Sequence, residues 1–554
     1  MVGVPGKSKG CKTCRKRKIA CDLQRPVCAN CIKSKRTCLG YDKDVRFIPV
    51  RASLTDEKLV VTSSFKTPSQ NTIKSHEETQ TSQKTSSLTD GISVSSGSRR
   101  HRFSLFPASD LLCGLANRQQ LLSVFVAACI PTGAGGVIDP SKGWGGPWML
   151  QLPQLFMKTP ALQTAVSAIA ASILGRQHDD RDFVNESLRF YTSGLRELQK
   201  SLWDPHVMFN DEILAVCLCL DLYEAMECPG DGRQAYYNHC MACMRLVEAR
   251  GAGRHVSGVS HELFLGLRAQ GALLSMANHV PSFLSSPLWM TMPWKLRPKR
   301  AIDRLVDCLC EASTIFQEND RIQRLGPVEK LESWLESLAK CWKMDSTLQD
   351  VYKEYETDFP QPMYWSVLSK ETNSADDSIR GKVFPVAYRF PNMTVARSLM
   401  LYWAISLLIC NGLSLLYQGI ASLEFDAGDS HCSNFPECEL FYDNMCHCRY
   451  LRLQPLGSYK YDISHFPSLG HRADPRILIS DVCQSIEYCF DTDIAVWGTW
   501  SAGTPLTLVY ETVKYLPGLE REVRWMEATL RKLQGRGLRI LNYTTTFNQP
   551  RVYS

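Results

Sequence analysis

Six cysteines near the N-terminus constrain the fold of this chain more than any other feature of its sequence. They are Cys11, Cys14, Cys21, Cys28, Cys31 and Cys38, so the spacing C-x2-C-x6-C occurs twice with six residues between the copies. Cysteines this close together in a reducing compartment are typical metal ligands. Structural zinc takes four ligands in a tetrahedron, so two zinc ions need eight ligand positions. Six thiolates fill those positions if two of them bridge, and the internal repeat favours one bridging cysteine from each half.

The spacing of the cysteines also allows two other interpretations. A single four-thiolate zinc ion would leave two cysteines without a metal, which the symmetry of the repeat disfavours. Alternatively, the metal could hold a small domain whose charged surface has no binding role. Six cysteines in this repeat are nevertheless far more specific than one isolated C-x2-C pair.

The positive charge of the chain is concentrated in the same segment. Residues 1–50 contain 13 Lys and Arg against three Asp, a net charge of +10, whereas the remaining residues carry 50 basic and 53 acidic side chains. Four consecutive cations, Arg15, Lys16, Arg17 and Lys18, lie between Cys14 and Cys21. This asymmetry indicates a polyanionic partner for the N-terminal segment.

The other cysteines and the first residues indicate the compartment. The chain has 23 cysteines, an odd number that cannot pair completely within one molecule. The opening stretch MVGVPGKSKG lacks the apolar run of a signal peptide. We therefore expect an intracellular, reducing setting.

The stretch CKTCRKRKIACDLQRPVCANCIKSKRTC, residues 11–38, resembles the DNA-binding domain of fungal binuclear zinc cluster transcription factors. The resemblance runs without a gap and includes the basic run and Pro26. It implies two zinc ions, with Cys11 and Cys28 as bridging ligands, Cys14 and Cys21 completing one site, and Cys31 and Cys38 the other. A domain this small depends on metal for its stability.

The same resemblance implies how the domain meets double-stranded DNA. The first short helix enters the major groove and reads a CGG-like triplet, and the base-reading positions fall on Arg17 and Lys18. Both residue types carry donors that suit the O6 and N7 acceptors of guanine. Phosphate contacts are expected from Arg15, Lys16, Lys33, Lys35 and Arg36, although the last three could instead form a solvated face.

We place the zinc domain at residues 1–50, with its core at 11–38. A linker follows it. Residues 51–104 are rich in Ser, Thr, Gln and Lys and poor in large apolar residues, so we expect disorder there. The cations at 99–102 and at 15–18 are candidate nuclear-import signals.

No heptad pattern is visible before residue 105, because Leu59, Val60 and Val61 are adjacent. This departs from the coiled coil common in the resembled family and leaves the oligomeric state open.

Residues 105–554 predict a large all-α domain of packed helical hairpins. Thr159 and Pro160 form a helix start, and Gly175 and Gly251 are expected helix stops. Residues 184–202 place Val184, Leu188, Tyr191, Leu195, Leu198 and Leu202 on one face, which favours core packing over subunit pairing. The order of elements over about 105–300 also resembles the helical regulatory domain of the same fungal regulators.

Three segments suggest other functions, and each has a simpler explanation. Residues 398–417 contain no charge and are long enough for a membrane span, but polar residues within them favour a core helix. A third metal site is conceivable in the segment that contains His431, Cys432, Cys438, Cys446, His447 and Cys448. The spacing of these residues, however, matches no established metal framework. Cys240 and Cys243 are explained by packing. No catalytic motif is present, so the sequence does not predict an enzyme.

The sequence therefore predicts a nuclear regulator of RNA polymerase II transcription in a fungus, acting through the 1–50 domain and controlled by the helical region. Expected partners of that region are transcription co-regulators or a small-molecule effector, without a membrane. By family analogy, its targets are genes of metabolism or of a specialised-metabolite cluster. Two alternatives are a helical ligand sensor or enzyme that uses the zinc module for docking, and a membrane-tethered protein.

Overall fold

The computed structural model describes residues 11–22, 28–34, 36–38, 115–129, 148–155, 158–227, 233–323, 325–426, 447–455, 457–491 and 495–540. The expectations for the linker at 51–104, for the cations at 99–102 and for the cysteines at 432–446 lie outside these residues, as do Pro26, Lys35 and the side chains of Arg15, His447 and Cys448. Contacts divide the chain into two units, Met1–Arg99 and Arg100–Ser554.

The described part of the first unit contains two helices of five residues. Helix α1 is Lys12–Lys16 and α2 is Ala29–Lys33. Each begins directly after the first cysteine of a C-x2-C pair. The cysteines themselves form the small core, with Cys11, Cys14, Cys28 and Cys31 completely buried.

The second unit is mostly helical, as the sequence predicts. Its described helices are α3 Leu115–Cys129, α4 Pro160–Gln177, α5 Arg181–Leu202, α6 Asp211–Glu227, α7 Arg233–Arg250, α8 Gly258–Ala277, α9 Pro287–Thr291, α10 Ala301–Ile322, α11 Pro327–Asp358, α12 Met393–Ser422, α13 Arg476–Ser485, α14 Ala495–Val513 and α15 Glu520–Gly535. One continuous apolar core runs through them.

This unit is not entirely α-helical, which corrects the all-α prediction. Strands β1 Trp365–Leu368 and β2 Val386–Arg389 form an antiparallel pair in which Trp365 faces Arg389. Strands β3 Glu424–Phe425, β4 Leu451–Leu453 and β5 Tyr459–Tyr461 form a second antiparallel sheet in the order β3-β5-β4. These strands are only two to four residues long, so they leave little periodic signal in the sequence.

The predicted helix boundaries are partly right. Thr159 caps α4 by accepting a hydrogen bond from the backbone N–H of Leu162 at 3.4 Å, and Pro160 is the first helical residue. Gly251 has φ of +81° and follows the last residue of α7, as a helix stop should. Gly175, however, lies inside α4. A Cβ there would lie 2.8 Å from Cγ2 of Val184, so this glycine permits α5 to approach α4 closely.

Helix α12 occupies a central position in the second unit. Among the described residues it is the one helix whose length and composition would suit a membrane span, with a mean hydropathy of 1.9 in its most apolar window. Here it contacts α10, α11, α13 and α14. Leu399, Ile405 and Leu413 are completely buried. The segment 398–417 thus serves as a core helix in this structure.

Candidate metal centre and nucleic-acid interface

The two C-x2-C pairs adopt the same local structure. The backbone N–H of Cys14 donates to Sγ of Cys11 at 3.3 Å, and the N–H of Cys31 donates to Sγ of Cys28 at the same distance. Each bond closes the first turn of a short helix around a sulfur. The N-terminal ends of α1 and α2 are therefore held by the atoms that would bind metal.

The ends of the two helices also repeat, with an offset of 17 residues. The N–H of Ile19 bonds to the carbonyl of Cys14 at 3.1 Å, and the N–H of Arg36 bonds to the carbonyl of Cys31 at 3.0 Å. A bond of this span closes a helix when the residue directly before the donor is left-handed. Lys18, with φ of +54°, is that residue in the first half.

Six sulfurs form two overlapping groups of four. Cys11, Cys14, Cys21 and Cys28 make one group, and Cys11, Cys28, Cys31 and Cys38 make the other. Within each group all Sγ atoms lie within 4.8 Å of one another. Cys11 and Cys28 belong to both groups, and no other cysteine of the two groups does.

The distances between sulfurs suit tetrahedral zinc. With Zn–S bonds of about 2.3 Å, the edge of the tetrahedron is about 3.8 Å. The Sγ atoms of Cys11 and Cys28 are 3.6 Å apart, those of Cys14 and Cys28 are 3.6 Å apart, and those of Cys11 and Cys31 are 3.8 Å apart. All six cysteines are free of disulfide bonds. The donor set thus fits two zinc ions that share two sulfurs.

Burial makes these sulfurs dependent on a cation. It raises the pKa of the Cys14 thiol to about 12 and also raises the pKa values of Cys11 and Cys28. A thiol must lose its proton to bind zinc, and zinc supplies the positive charge that stabilises the thiolate. Two Zn²⁺ and six thiolates sum to −2, so neighbouring cations also stabilise the cluster.

Polar contacts fasten the two halves to each other. The carboxylate of Asp22 accepts from the backbone N–H groups of Ala29 and Asn30, at 3.0 and 3.4 Å, and so caps the start of α2. The side-chain amide of Asn30 donates to the carbonyl of Ala20 at 2.8 Å. The hydroxyl of Thr13 donates to the carbonyl of Thr37 at 3.1 Å. Sequence reasoning missed the role of Asp22, because this residue is seven positions before Ala29, whereas an acidic cap is normally sought at the helix start itself.

Three of the four predicted DNA-binding cations lie on the surface at the end of α1. Lys16, Arg17 and Lys18 are exposed, and Arg15 lies in α1. The guanidinium of Arg17 donates to the hydroxyl of Ser34 at 3.1 Å, which ties it to the second half. Lys33 and Arg36 are also exposed. The arrangement presents a compact cationic surface beside the sulfur cluster.

Cys240 and Cys243, the described cysteines that the sequence analysis attributes to packing, are buried among side chains of the helical unit. Cys240 and Cys243 each have 2% of their surface exposed, and the thiol of Cys240 donates to the carboxylate of Asp221. Packing and this hydrogen bond account for Cys240. The two groups of sulfurs at residues 11–38 are the metal-ligand clusters found among the described residues.

Comparison with known protein families finds one match in the N-terminal cysteine segment and another in the helical unit. Residues 9–46 match the family described as the fungal Zn(2)-Cys(6) binuclear cluster domain, and residues 121–280 match the fungal specific transcription factor domain. No solved structure matches the chain.

Curated relatives match over short stretches. White-opaque regulator 2 of Candida albicans is 50% identical over 50 residues, which are 9% of this chain and 11% of that protein. Arginine metabolism regulation protein II of Saccharomyces cerevisiae is 53% identical over 38 residues, 7% of this chain and 4% of the relative. An uncharacterized protein of Emericella nidulans is 26% identical over 128 residues, 23% of this chain and 27% of the relative. Each alignment thus covers less than a third of the relative's length.

Proposed function

Because this chain carries both domains of the fungal binuclear zinc cluster transcription factors, we propose that it is a sequence-specific regulator of RNA polymerase II genes in a fungus. Its N-terminal domain binds two zinc ions, and zinc cluster transcription factors bind DNA. The observation that carries the proposal is the pair of overlapping sulfur groups beside an exposed cationic helix end. The helical unit would control output, and the protein would act in the nucleus rather than as an enzyme.

The ligand assignment follows the two groups of sulfurs. Cys11 and Cys28 would bridge the two ions, because they alone belong to both groups. Cys14 and Cys21 would complete one site, and Cys31 and Cys38 the other. The ions supply the charge that keeps the buried sulfurs deprotonated, and in doing so they hold α1 in place.

The cations would then divide into two roles. Arg17 and Lys18 directly follow the last residue of α1, where they could reach guanine edges of a CGG-like triplet in the major groove. Arg15 and Lys16 would contact phosphates, which position the helix without reading sequence. The bond from Arg17 to Ser34 orients its guanidinium in the absence of DNA. Lys18 is thus the better candidate for a free reading side chain.

The domain boundaries and the hairpin packing belong to the same proposal. We place the DNA-binding domain at residues 1–50, a linker at 51–104 and the regulatory domain at 105–554. Contacts of α4 with α3 and α5, and of α10 with α11, support a construction from successive helical hairpins. Genes of metabolism or of a specialised-metabolite cluster are the proposed targets, by analogy with the family alone.

Binding of the full chain to two DNA duplexes tests the function. Zinc-loaded protein should prefer a duplex with a CGG triplet over a scrambled one by at least about tenfold, since one good base contact discriminates by about 1–3 kcal/mol. A chelator should abolish the preference. Equal affinity for both duplexes at several salt concentrations would contradict sequence-specific recognition and favour use of the zinc module for docking.

A further inference from the structure

Two adjoining cavities, each partly open to solvent, lie in the helical unit. The first, cavity A, has a volume of about 330 Å³ and lies among α6, α8, α10, α12 and α14. The second, cavity B, has a volume of about 460 Å³ and is lined mainly by α7, α8, α12 and α14. Tyr236, Leu273, Trp500 and Thr504 line both. Sites for small molecules have volumes of about 300–1,000 Å³, a range that includes both cavities.

The lining of these cavities is mainly apolar and aromatic. Leu222, Leu265 and Trp497 contribute to cavity A, and Phe316 and Leu408 contribute to cavity B. Such walls bind the apolar body of a ligand through dispersion and the hydrophobic effect. They are less suited to a string of ordered waters, each of which needs two to four polar partners.

Helix α14 supplies polar atoms that are not hydrogen-bonded to any described residue. They include Nε1 of Trp500, Oγ of Ser501 and Oγ1 of Thr507, which are all buried. Ser501 lines cavity A, Thr507 lines cavity B and Trp500 lines both. A buried polar group without a partner is costly. Because the indole N–H can only donate, a ligand that satisfies Trp500 must carry an acceptor such as a carbonyl oxygen.

The charges around cavity A favour a neutral ligand. Charged side chains in its wall have partners within the protein: Arg268 with Asp307, Arg300 with Asp303, Glu262 with Arg297, and Arg397 with the ring of Trp497. A charged ligand would have to lose its hydration in competition with these contacts. A neutral molecule that carries acceptor oxygens avoids that cost.

We propose that these cavities form one effector site for a neutral, mainly apolar small molecule with at least one acceptor oxygen, which Trp500 recognises through its indole N–H. Its wall joins two regions of the chain. Tyr236 and Leu273 lie within the matched domain at 121–280, whereas Leu401, Trp500 and Leu538 lie beyond it. A ligand held between them couples the C-terminal third of the chain to the matched domain. Only this regulatory consequence rests on the function proposed above.

A fluorescent probe tests the site in the full-length, zinc-loaded chain. Prodan is a neutral naphthalene ketone whose emission shifts to the blue in apolar surroundings. We expect one saturable binding site for prodan per chain. Trp500→Phe should weaken this binding roughly 3- to 10-fold, the effect of one lost hydrogen bond. Trp342→Phe is the matched control, because Trp342 lines neither cavity, and it should leave the affinity unchanged.

Two further measurements separate the hydrogen bond from a change of shape. Dimethylaminonaphthalene, which lacks the ketone, should bind the wild type and Trp500→Phe with equal affinity. Thr504→Phe, which fills space in both cavities, should weaken prodan at least tenfold while the circular dichroism spectrum stays that of the wild type.

Several results would overturn the site. These are non-saturable prodan binding, equal prodan affinity in wild type and Trp500→Phe, or tighter binding of a naphthalene carboxylate than of the ketone. Binding to a CGG-containing duplex, measured on the same preparation, keeps the two proposals distinct. Loss of sequence preference with intact prodan binding would refute the proposed function alone, and the reverse result would refute the effector site alone.

Discussion

Replacing a shared cysteine should damage both zinc sites, whereas replacing an unshared one should damage a single site. Cys28 belongs to both groups of four sulfurs, and Cys38 belongs to one. A structural zinc ion with four ligands contributes roughly 10–16 kcal/mol, or about 3 kcal/mol per ligand. A site that loses one sulfur should therefore bind zinc roughly a hundredfold more weakly. Cys28→Ser imposes this loss on both ions and Cys38→Ser on one.

The measurement is the zinc content of purified full-length protein during titration with a colorimetric chelator, checked by native mass spectrometry. The three proteins are compared at a chelator concentration at which the wild type keeps both of its zinc ions. Under that condition Cys38→Ser should keep one tightly bound ion, and Cys28→Ser should keep none. Cys483→Ser is the control, because Cys483 is buried in α13 of the helical unit and should leave both ions in place. Equal zinc loss from Cys28→Ser and Cys38→Ser would refute the shared-ligand assignment, and a wild-type content of one ion would refute the binuclear cluster.

Three further predictions concern recognition, the core and assembly. Lys18→Gly removes the side chain without straining the backbone, because glycine readily adopts a φ of +54°. In binding titrations this variant should reduce the preference for a CGG-like duplex roughly tenfold. Arg36→Ala should instead weaken binding to the matched and scrambled duplexes in parallel. In chemical denaturation, Leu413→Ala should lower the free energy of unfolding by about 2–5 kcal/mol, because Leu413 is fully buried. The control Leu415→Ala, at a side chain that is 56% exposed, should change it by less than about 0.5 kcal/mol. Similar losses from the two variants would mean that α12 is not packed as described. Residues 1–104 with zinc should sediment as a monomer at micromolar concentration, since no heptad repeat follows the zinc domain, and a stable dimer would reveal a pairing element in residues 39–104.

The metal centre could be predicted from the sequence because its information is local. Ligand spacing and the internal repeat suggest two sites that share two sulfurs, and the groups of sulfurs in the structure agree. The start of α4 is equally local, since Thr159 and Pro160 act within one turn of the chain. The contact between Arg17 and Ser34 is different. It joins residues that come together only when the cluster forms.

The packing of the helical unit was harder to predict, and α5 shows why. Leu188, which the apolar pattern places on the buried face, is 43% exposed. The buried face instead includes Ser187, whose hydroxyl lies 3.0 Å from the hydroxyl of Tyr223, and Gly194, where a Cβ would lie 3.2 Å from Leu220. Small residues allow close approach of helices, and a search for large apolar residues does not detect them. The prediction that Gly175 ends a helix is wrong for the same reason, since this glycine lies inside α4 at its contact with Val184.

The cysteine repeat also explains why one half of the zinc domain is better suited than the other to face DNA. An offset of 17 residues relates Cys11 to Cys28 and Arg17 to Ser34, and in both cases the equivalent residues touch each other. The metal ligands obey this symmetry, but the surface does not. Residues 15–18 are Arg, Lys, Arg and Lys, whereas their equivalents at 32–35 are Ile, Lys, Ser and Lys. The first half therefore carries four cations where the second carries two. Since phosphate attraction grows with the number of cations that reach the backbone, we expect the first half to form the face that meets the duplex.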